Sequence, residues 1–426
     1  MNQSSVRRSR RRFLGRAVGW AGAGVAMPAL VPGRVLAAPG RPGANDRIGL
    51  GFIGLGARAQ QIFAHLTEEV EVAAVCDVYA PRVAEAAKAH RAVGFEDYRK
   101  LLEQKRVDAV IITTPDHWHA LQTVHACEAG KDVFCDKPLS LTVAEGRAMV
   151  EAVARHRRIC QVGPQQRSIP AAIYACEFVR AGKLGRIREV HCTNNDTSRD
   201  VDLPGEPVPP GLNWDLWLGP SGAWPFNARL LPSRLGKFGW MAYKPWSGGN
   251  MTSWGTHGLD LMQWGLGMDN SGPLEIEPIG AGLECPLEYR YAGDVVVKLD
   301  AAPQGGAIFV GEQGKVTVAC GLVTWDPPEL GTGAPPSAEI FYGHKGPLHT
   351  RQWFHCLRTR QKPNCDVETG HRTATVAHLG NIARWLGRKL RWDPVAERFA
   401  ADEEANAMLR RPMRPPWRLA HASAVG

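Results

Sequence analysis

A glycine-rich turn between an apolar run and an amphipathic stretch constrains this chain more than any other feature. The run is Ile48-Gly-Leu-Gly-Phe-Ile-Gly54-Leu-Gly56-Ala57-Arg58-Ala59. Gly54 provides for a tight turn, and Gly56 removes the Cβ where another group must approach the backbone. Ala59 is small enough for the following helix to pack on the strand. A second β-run, Val70 to Cys76, ends at Asp77. That lies about twenty residues on, where a carboxylate can hold a ribose hydroxyl. The arrangement predicts a βαβ unit that binds a dinucleotide, with its pyrophosphate against Gly54, Gly56, Ala57 and Arg58 at a helix N-terminus.

The alternation continues. Short β-branched or apolar runs at 48–53, 70–76, 107–113, 131–135 and 159–162 are mostly separated by stretches with helical spacing. This predicts a doubly wound parallel sheet over 48–163. Beyond it the texture changes. Pro/Gly/Trp-rich loops fill 199–250, and strands are expected at 187–194, 274–284, 288–300, 306–310 and 315–320. Residues 164–426 are therefore read as an α+β substrate and oligomerisation domain. A helix over 368–389 is expected to pack back on the first domain. At least one of the tryptophans, with Trp214 and Trp246 the leading candidates, is expected against a sugar face.

The N-terminus reads as an address. Ser9-Arg10-Arg11-Arg12-Phe13-Leu14-Gly15 resembles a twin-arginine export motif, followed by a mildly apolar stretch and by Val35-Leu36-Ala37. Residues 1–37 are expected to be a signal peptide, 38–47 a linker, and the mature protein periplasmic. The formal net charge is +9, and seven arginines with no acid lie within 1–37. Removing them leaves the mature chain near neutrality, which argues against nucleic-acid binding. No membrane association beyond the export signal is expected. The ten cysteines show no C-x-x-C pair and no zinc-like spacing, so no metal is expected.

Three further clusters carry chemistry. Thr113-Thr114-Pro115-Asp116-His117-Trp118-His119 follows a strand end, where a doubly wound sheet meets its cofactor. Thr114, Pro115, His117 and His119 are candidate cofactor contacts. Val133-Phe-Cys135-Asp136-Lys137-Pro138 places a lysine at the end of a buried strand, where its ammonium can share a proton with a carbinol oxygen. Gly248 to Asp260 holds His257 and Asp260 one helical turn apart, and a histidine can take the hydroxyl proton during oxidation.

As a set, these clusters resemble the Gfo/Idh/MocA family of nicotinamide-dependent oxidoreductases, and most closely its twin-arginine-exported branch. Gln165-Gln166-Arg167-Ser168, Trp214 to Pro220, Asp366 to Arg372 and His378 to Ala383 add to the resemblance. It implies a Rossmann domain joined to an open, mostly antiparallel sheet, and a homo-oligomer, dimer or tetramer. It implies that Lys137 is the catalytic lysine, with Asp136 replacing the usual Glu at the cofactor, and that His257 is the catalytic histidine. Gln165 is placed at the cofactor, and Arg167, Ser253 and Asp260 near the substrate. The family's D-x-x-x-H pattern has Ser253 in place of its Asp, so no carboxylate is supplied to tune Lys137.

The leading expectation is an NAD-dependent oxidoreductase acting on a secondary alcohol of a small-molecule carbohydrate, cyclitol or glycoside. Asp77 favours NAD over NADP by repelling a 2′-phosphate, although Arg82 nearby works against this. One alternative is glycoside cleavage by transient oxidation with tightly bound NAD. Another is a non-catalytic sugar-binding or assembly subunit.

Overall fold

The computed structural model describes residues 46–231, 239–337 and 346–419. The expected signal segment and nearly all of the 38–47 linker lie outside them. Strands β1 (Ile48–Ile53), β2 (Val70–Cys76), β3 (Val93–Phe95), β4 (Ala109–Ile112), β5 (Asp132–Cys135) and β6 (Cys160–Val162) pair in parallel in the order β3-β2-β1-β4-β5-β6. They are connected through α1 (Ala57–Phe63), α2 (Ala80–His90), α3 (Tyr98–Leu102), α4 (Asp116–Glu128) and α5 (Val143–His156). β1, β4 and β5 are buried at every position, as parallel strands covered on both faces must be. β3 was not anticipated. It is a three-residue edge strand with Val93 and Gly94 exposed, so no apolar run announces it.

The second sheet comprises β7 (Ile187–Thr193), β8 (Glu275–Pro278), β9 (Leu287–Arg290), β10 (Val296–Asp300), β11 (Gly306–Gly311), β12 (Gly314–Ala319), β13 (Leu322–Asp326), β14 (Leu390–Asp393) and β15 (Arg398–Phe399). Its order is β13-β12-β11-β7-β10-β9-β8-β14-β15. Every pairing is antiparallel except β7 with β10. The helices are α6 (Pro170–Arg180), α7 (Trp214–Leu218), α8 (Asn250–Ser253), α9 (Gly255–Gly265), α10 (Gly346–Thr359), α11 (Val367–Leu386) and α12 (Glu403–Ala407). Strand burial follows the pleat: in β10, buried Val297 and Leu299 alternate with more exposed neighbours, and the buried set packs against α9 and α11.

Two expected strands are corrected. The 288–300 run is two strands, because Gly293 and Asp294 adopt positive φ and reverse the chain. The 274–284 run stops at Pro278, ahead of Gly280 and Gly282, both at positive φ. β13, β14 and β15 were missed for the same reason as β3: short outer strands carry little apolar pattern.

α11 joins the two sheets. Asp366 caps its start by accepting the Thr369 N–H, and Gly387 ends it at φ 64°. His378 Nε2 lies 3.0 Å from the Ser140 carbonyl on the first-domain side. On the other side Tyr289 Oη donates to the Val376 carbonyl at 3.3 Å. This helix and the loops at the C-terminal ends of the parallel strands bring the second domain over the first sheet, and a cleft is left between them.

Candidate active site

The cleft encloses about 800 Å³, in the upper part of the range for small-molecule sites. The strand order sets its axis. Asp77 follows β2 and Lys137 follows β5, so they stand on opposite sides of the switch point between β1 and β4.

Gly54 adopts φ +87°, and a Cβ there would come within 2.9 Å of the Thr113 and Thr114 backbone. Gly56 precedes α1 and offers no capping side chain. A Cβ built on it meets nothing within 4 Å, because the position opens into the cleft. Ala59 is fully buried behind the turn. Asp77 Oδ2 accepts the Leu55 N–H at 2.7 Å and Oδ1 accepts the Tyr79 N–H at 2.9 Å. Each oxygen keeps a second lone pair for a ribose hydroxyl. Burial raises the Asp77 pKa, with Arg82, whose Nη1 lies 3.8 Å away, opposing. These residues fit a dinucleotide: a turn without side chains at the approach and a carboxylate acceptor beyond it.

At the other side Lys137 Nζ donates to Ser253 Oγ at 3.1 Å. Burial lowers the lysine's pKa; Asp136 and Asp116 raise it and Arg58 adds to the lowering. No carboxylate among the described residues pairs with Lys137 within 4 Å; Ser253 stands in that place. His257 is 2 % exposed. Burial first, then the positive charges of Lys137 and Arg58, push its pKa well below the ordinary value, so the ring is neutral. Arg58 Nε reaches Asp136 Oδ1 at 3.2 Å, joining the glycine turn to the lysine loop.

Gly54, Gly56, Ala57, Arg58, Asp77, Thr114, Pro115, Asp136, Lys137, Gln165, Ser253 and His257 all line this one cleft. Six other expected contacts do not line it. His117 is turned away, its Nε2 2.9 Å from the Trp217 carbonyl, and burial drives its pKa down to about 3. His119 lies between the Pro138 carbonyl at 2.8 Å and the Thr114 carbonyl at 2.9 Å, tying two strand-end loops together. Arg167 places Nε 2.9 Å from both Asp260 oxygens and Nη2 2.7 Å from Asp269. That buried pair locks α9 to the segment before α6, and burial pushes Asp260 up to about 6 against the pull of Arg167. Trp246 is fully buried with its indole N–H on Ser221 Oγ. Trp214 stacks on Trp217 with ring centroids 4.5 Å apart. Polar and aromatic residues placed at a site by spacing alone can equally serve the shell behind it.

The sequence reading also missed contributors. Asp116, inside a quoted motif but given no role, lines the cleft and accepts the Ser247 hydroxyl at 2.8 Å. Burial pushes its carboxyl up to about 7, with Ser247 and Lys137 opposing. Trp240, Met241 and Trp254 also line it. Trp254 was signalled by its place between Ser253 and His257; Trp240 and Met241 come from a loop that spacing does not locate.

A doubly wound sheet with this turn and a strand-end lysine, facing a neutral histidine from a second, open-sheet domain, is the architecture of two-domain nicotinamide-dependent oxidoreductases. Residues 48–164 match the NAD-binding Rossmann fold of the Gfo/Idh/MocA oxidoreductase family, and residues 196–419 match its C-terminal alpha/beta domain; the chain belongs to this family. Inositol 2-dehydrogenase of Salmonella typhimurium is 33% identical over 147 residues, 34% of this chain and 43% of that protein. A glycosyl hydrolase family 109 protein of Shewanella pealeana is 30% identical over 204 residues, 42% of this chain and 44% of that one. The chain thus spans less than half the length of these curated relatives. Among solved structures, the WlbA dehydrogenase from Bordetella pertussis in complex with NADH and UDP-GlcNAcA shares the fold. Its TM-score is 0.59 at 20% identity, covering 82% of this chain and 99% of that one.

Proposed function

We propose that this protein oxidises a secondary alcohol of a sugar, cyclitol or glycoside with NAD. The observation that carries the reading is the meeting of Lys137 and His257, from two different domains, in one cleft with the glycine turn and Asp77. Bound NAD would supply the hydride acceptor, held at Gly54, Gly56 and Asp77. Lys137 would donate a hydrogen bond to the carbinol oxygen, with Ser253 Oγ orienting its Nζ. Neutral His257 would take the hydroxyl proton. The Asp77 carboxylate favours NAD over NADP. The Salmonella inositol dehydrogenase supports the substrate class.

A second reading, glycoside cleavage by transient oxidation, is supported by the Shewanella glycosyl hydrolase family 109 relative. Oxidation of one hydroxyl would acidify the neighbouring C–H and allow the aglycone to be expelled.

The test is a screen of cyclitols, anhydrosugars and aryl glycosides with NAD, following both NADH and aglycone release. Lys137→Ala is expected to lose about two to four orders of magnitude in kcat while still binding NAD. Turnover unchanged in that variant would remove the lysine from either reading.

The Arg10-Arg11-Arg12 motif supports export by the twin-arginine route to the periplasm. Val296 and Ile308, half-buried on the face of the second sheet opposite its core, support a homo-oligomer, which light scattering would measure.

A further inference from the structure

The segment 209–219 of the second domain crosses the first. On one side it is latched to the loop after Asp77: the Ala80 N–H donates to the Gly211 carbonyl at 2.8 Å, and the Asn213 N–H donates to the Val78 carbonyl at 2.8 Å. An isolated bridge pairs Tyr79 with Leu212. On the other side it is latched to the start of α4. The Trp217 carbonyl accepts from His117 Nε2 at 2.9 Å and from Trp118 Nε1 at 3.0 Å. From the C-terminal segment Arg414 Nε donates to the Gly219 carbonyl at 3.0 Å. Between the two latches Leu216 and Trp217 line the cleft.

The latches stand after β2 and after β4, so the segment spans the half of the cleft that contains Asp77 and Tyr98, where the adenosine end of a dinucleotide would lie. We propose that this segment is a strap that encloses the adenosine half and makes the dinucleotide a resident cofactor, which is not exchanged between turnovers. The proposal rests on the dinucleotide reading of the cleft and adds a binding element from the second domain, with Leu216 and Trp217 as its contacts. It explains why His117 faces the strap instead of the cofactor: its ring, together with the Trp118 indole at the cleft wall, holds the strap shut. It also narrows the chemistry. A resident cofactor regains its oxidation state inside the cleft. Hydride taken from a carbinol carbon, its hydroxyl proton passing to His257, must then return to a carbonyl carbon of the sugar or its product, which takes a proton back.

Two variants loosen the strap without touching Lys137 or His257. Ala80→Pro removes one latch donor at an exposed first helical position that follows an extended residue, a backbone already suited to proline. Leu216→Ala trims a half-buried wall residue. The full chain would be purified, denatured, and its released nucleotide identified by mass; exchange of bound nucleotide against isotopically labelled NAD would then be followed by mass. Wild-type protein is expected to carry nucleotide and to exchange it slowly on the timescale of a turnover assay. Each variant, with its fold checked by circular dichroism, is expected to release it roughly tenfold faster. Exchange in wild type that is complete within mixing, or rates unchanged in both variants, would overturn the strap while leaving the dinucleotide reading intact. Protein that neither carries nor takes up NAD or NADP would overturn that reading, and the strap with it.

Discussion

Replacing Asp116 by Asn tests whether the cleft forces a carboxyl to stay protonated. Asp116 is 3 % exposed, so solvent does not screen it. Burial pushes its pKa from 3.8 up to about 7, while the Ser247 hydroxyl and Lys137 pull the other way. Between those two values the folded protein holds a proton that the unfolded chain has released. The stability associated with the neutral carboxyl is therefore present below the unfolded pKa and is lost as pH rises through the folded one. By linkage the loss is about 2 kcal/mol at about pH 5 and approaches about 4 kcal/mol by about pH 8. Asn has the same shape, cannot ionise, and its Oδ1 can accept the same Ser247 bond. Relative to wild type, Asp116→Asn should gain about 2–3 kcal/mol between about pH 5 and about pH 8. Urea denaturation of both proteins across that range measures it, as a growing separation of midpoints at constant slope. The same variant removes a negative charge that supports protonated Lys137, so the alkaline limb of kcat/KM should move to lower pH. A stability difference that is flat with pH, or a variant least stable at the alkaline end, would refute the burial argument.

Gly56→Ala should leave stability within about 0.5 kcal/mol, because the new methyl meets no protein atom, yet weaken NAD by at least about tenfold by entering the space reserved for the pyrophosphate. Thermal melting and NADH fluorescence titration would separate the two effects. Asp77→Ala removes acceptors for Leu55 and Tyr79 as well as for the ribose. NAD affinity should fall by about 1.5–3 kcal/mol, and the NAD-to-NADP affinity ratio should fall with it; a ratio that does not move would show that Asp77 does not select the cofactor. Arg167→Ala strands the buried Asp260 carboxylate and should cost about 3–5 kcal/mol of stability, with NAD affinity of the folded protein retained. Lost NAD binding at full stability would return Arg167 to the site.

Much of this protein was legible from local pattern alone. Val70 to Cys76 and Ile48 to Ile53 read as strands because each is a short, mostly apolar run. Gly54, Gly56 and Asp77 declare a binding turn because their spacing suits only a few backbones. Lys137 stood out because a lysine at the end of a buried strand is costly unless it is paired, whereas His257 was singled out by its match to the family's histidine pattern. These are properties of short segments, and a sequence displays them directly.

What the sequence could not decide was which side of a wall each polar or aromatic residue faces. Asp116 and His117 are adjacent, yet one lines the cleft and the other holds the strap. Arg167 and Asp260, far apart in the chain, turn out to satisfy each other. Trp214 and Trp246 fill a separate core while Trp240 and Trp254 reach the cleft. Neighbouring helical positions point about 100° apart, so a motif's spacing leaves open which of its members reach the cavity. That choice is made by the docking of the second domain on the first sheet. Charge follows burial for the same reason: a carboxyl's environment is made of residues distant in sequence, and only the assembled cleft pushes Asp116 up to about 7 and holds His257 neutral.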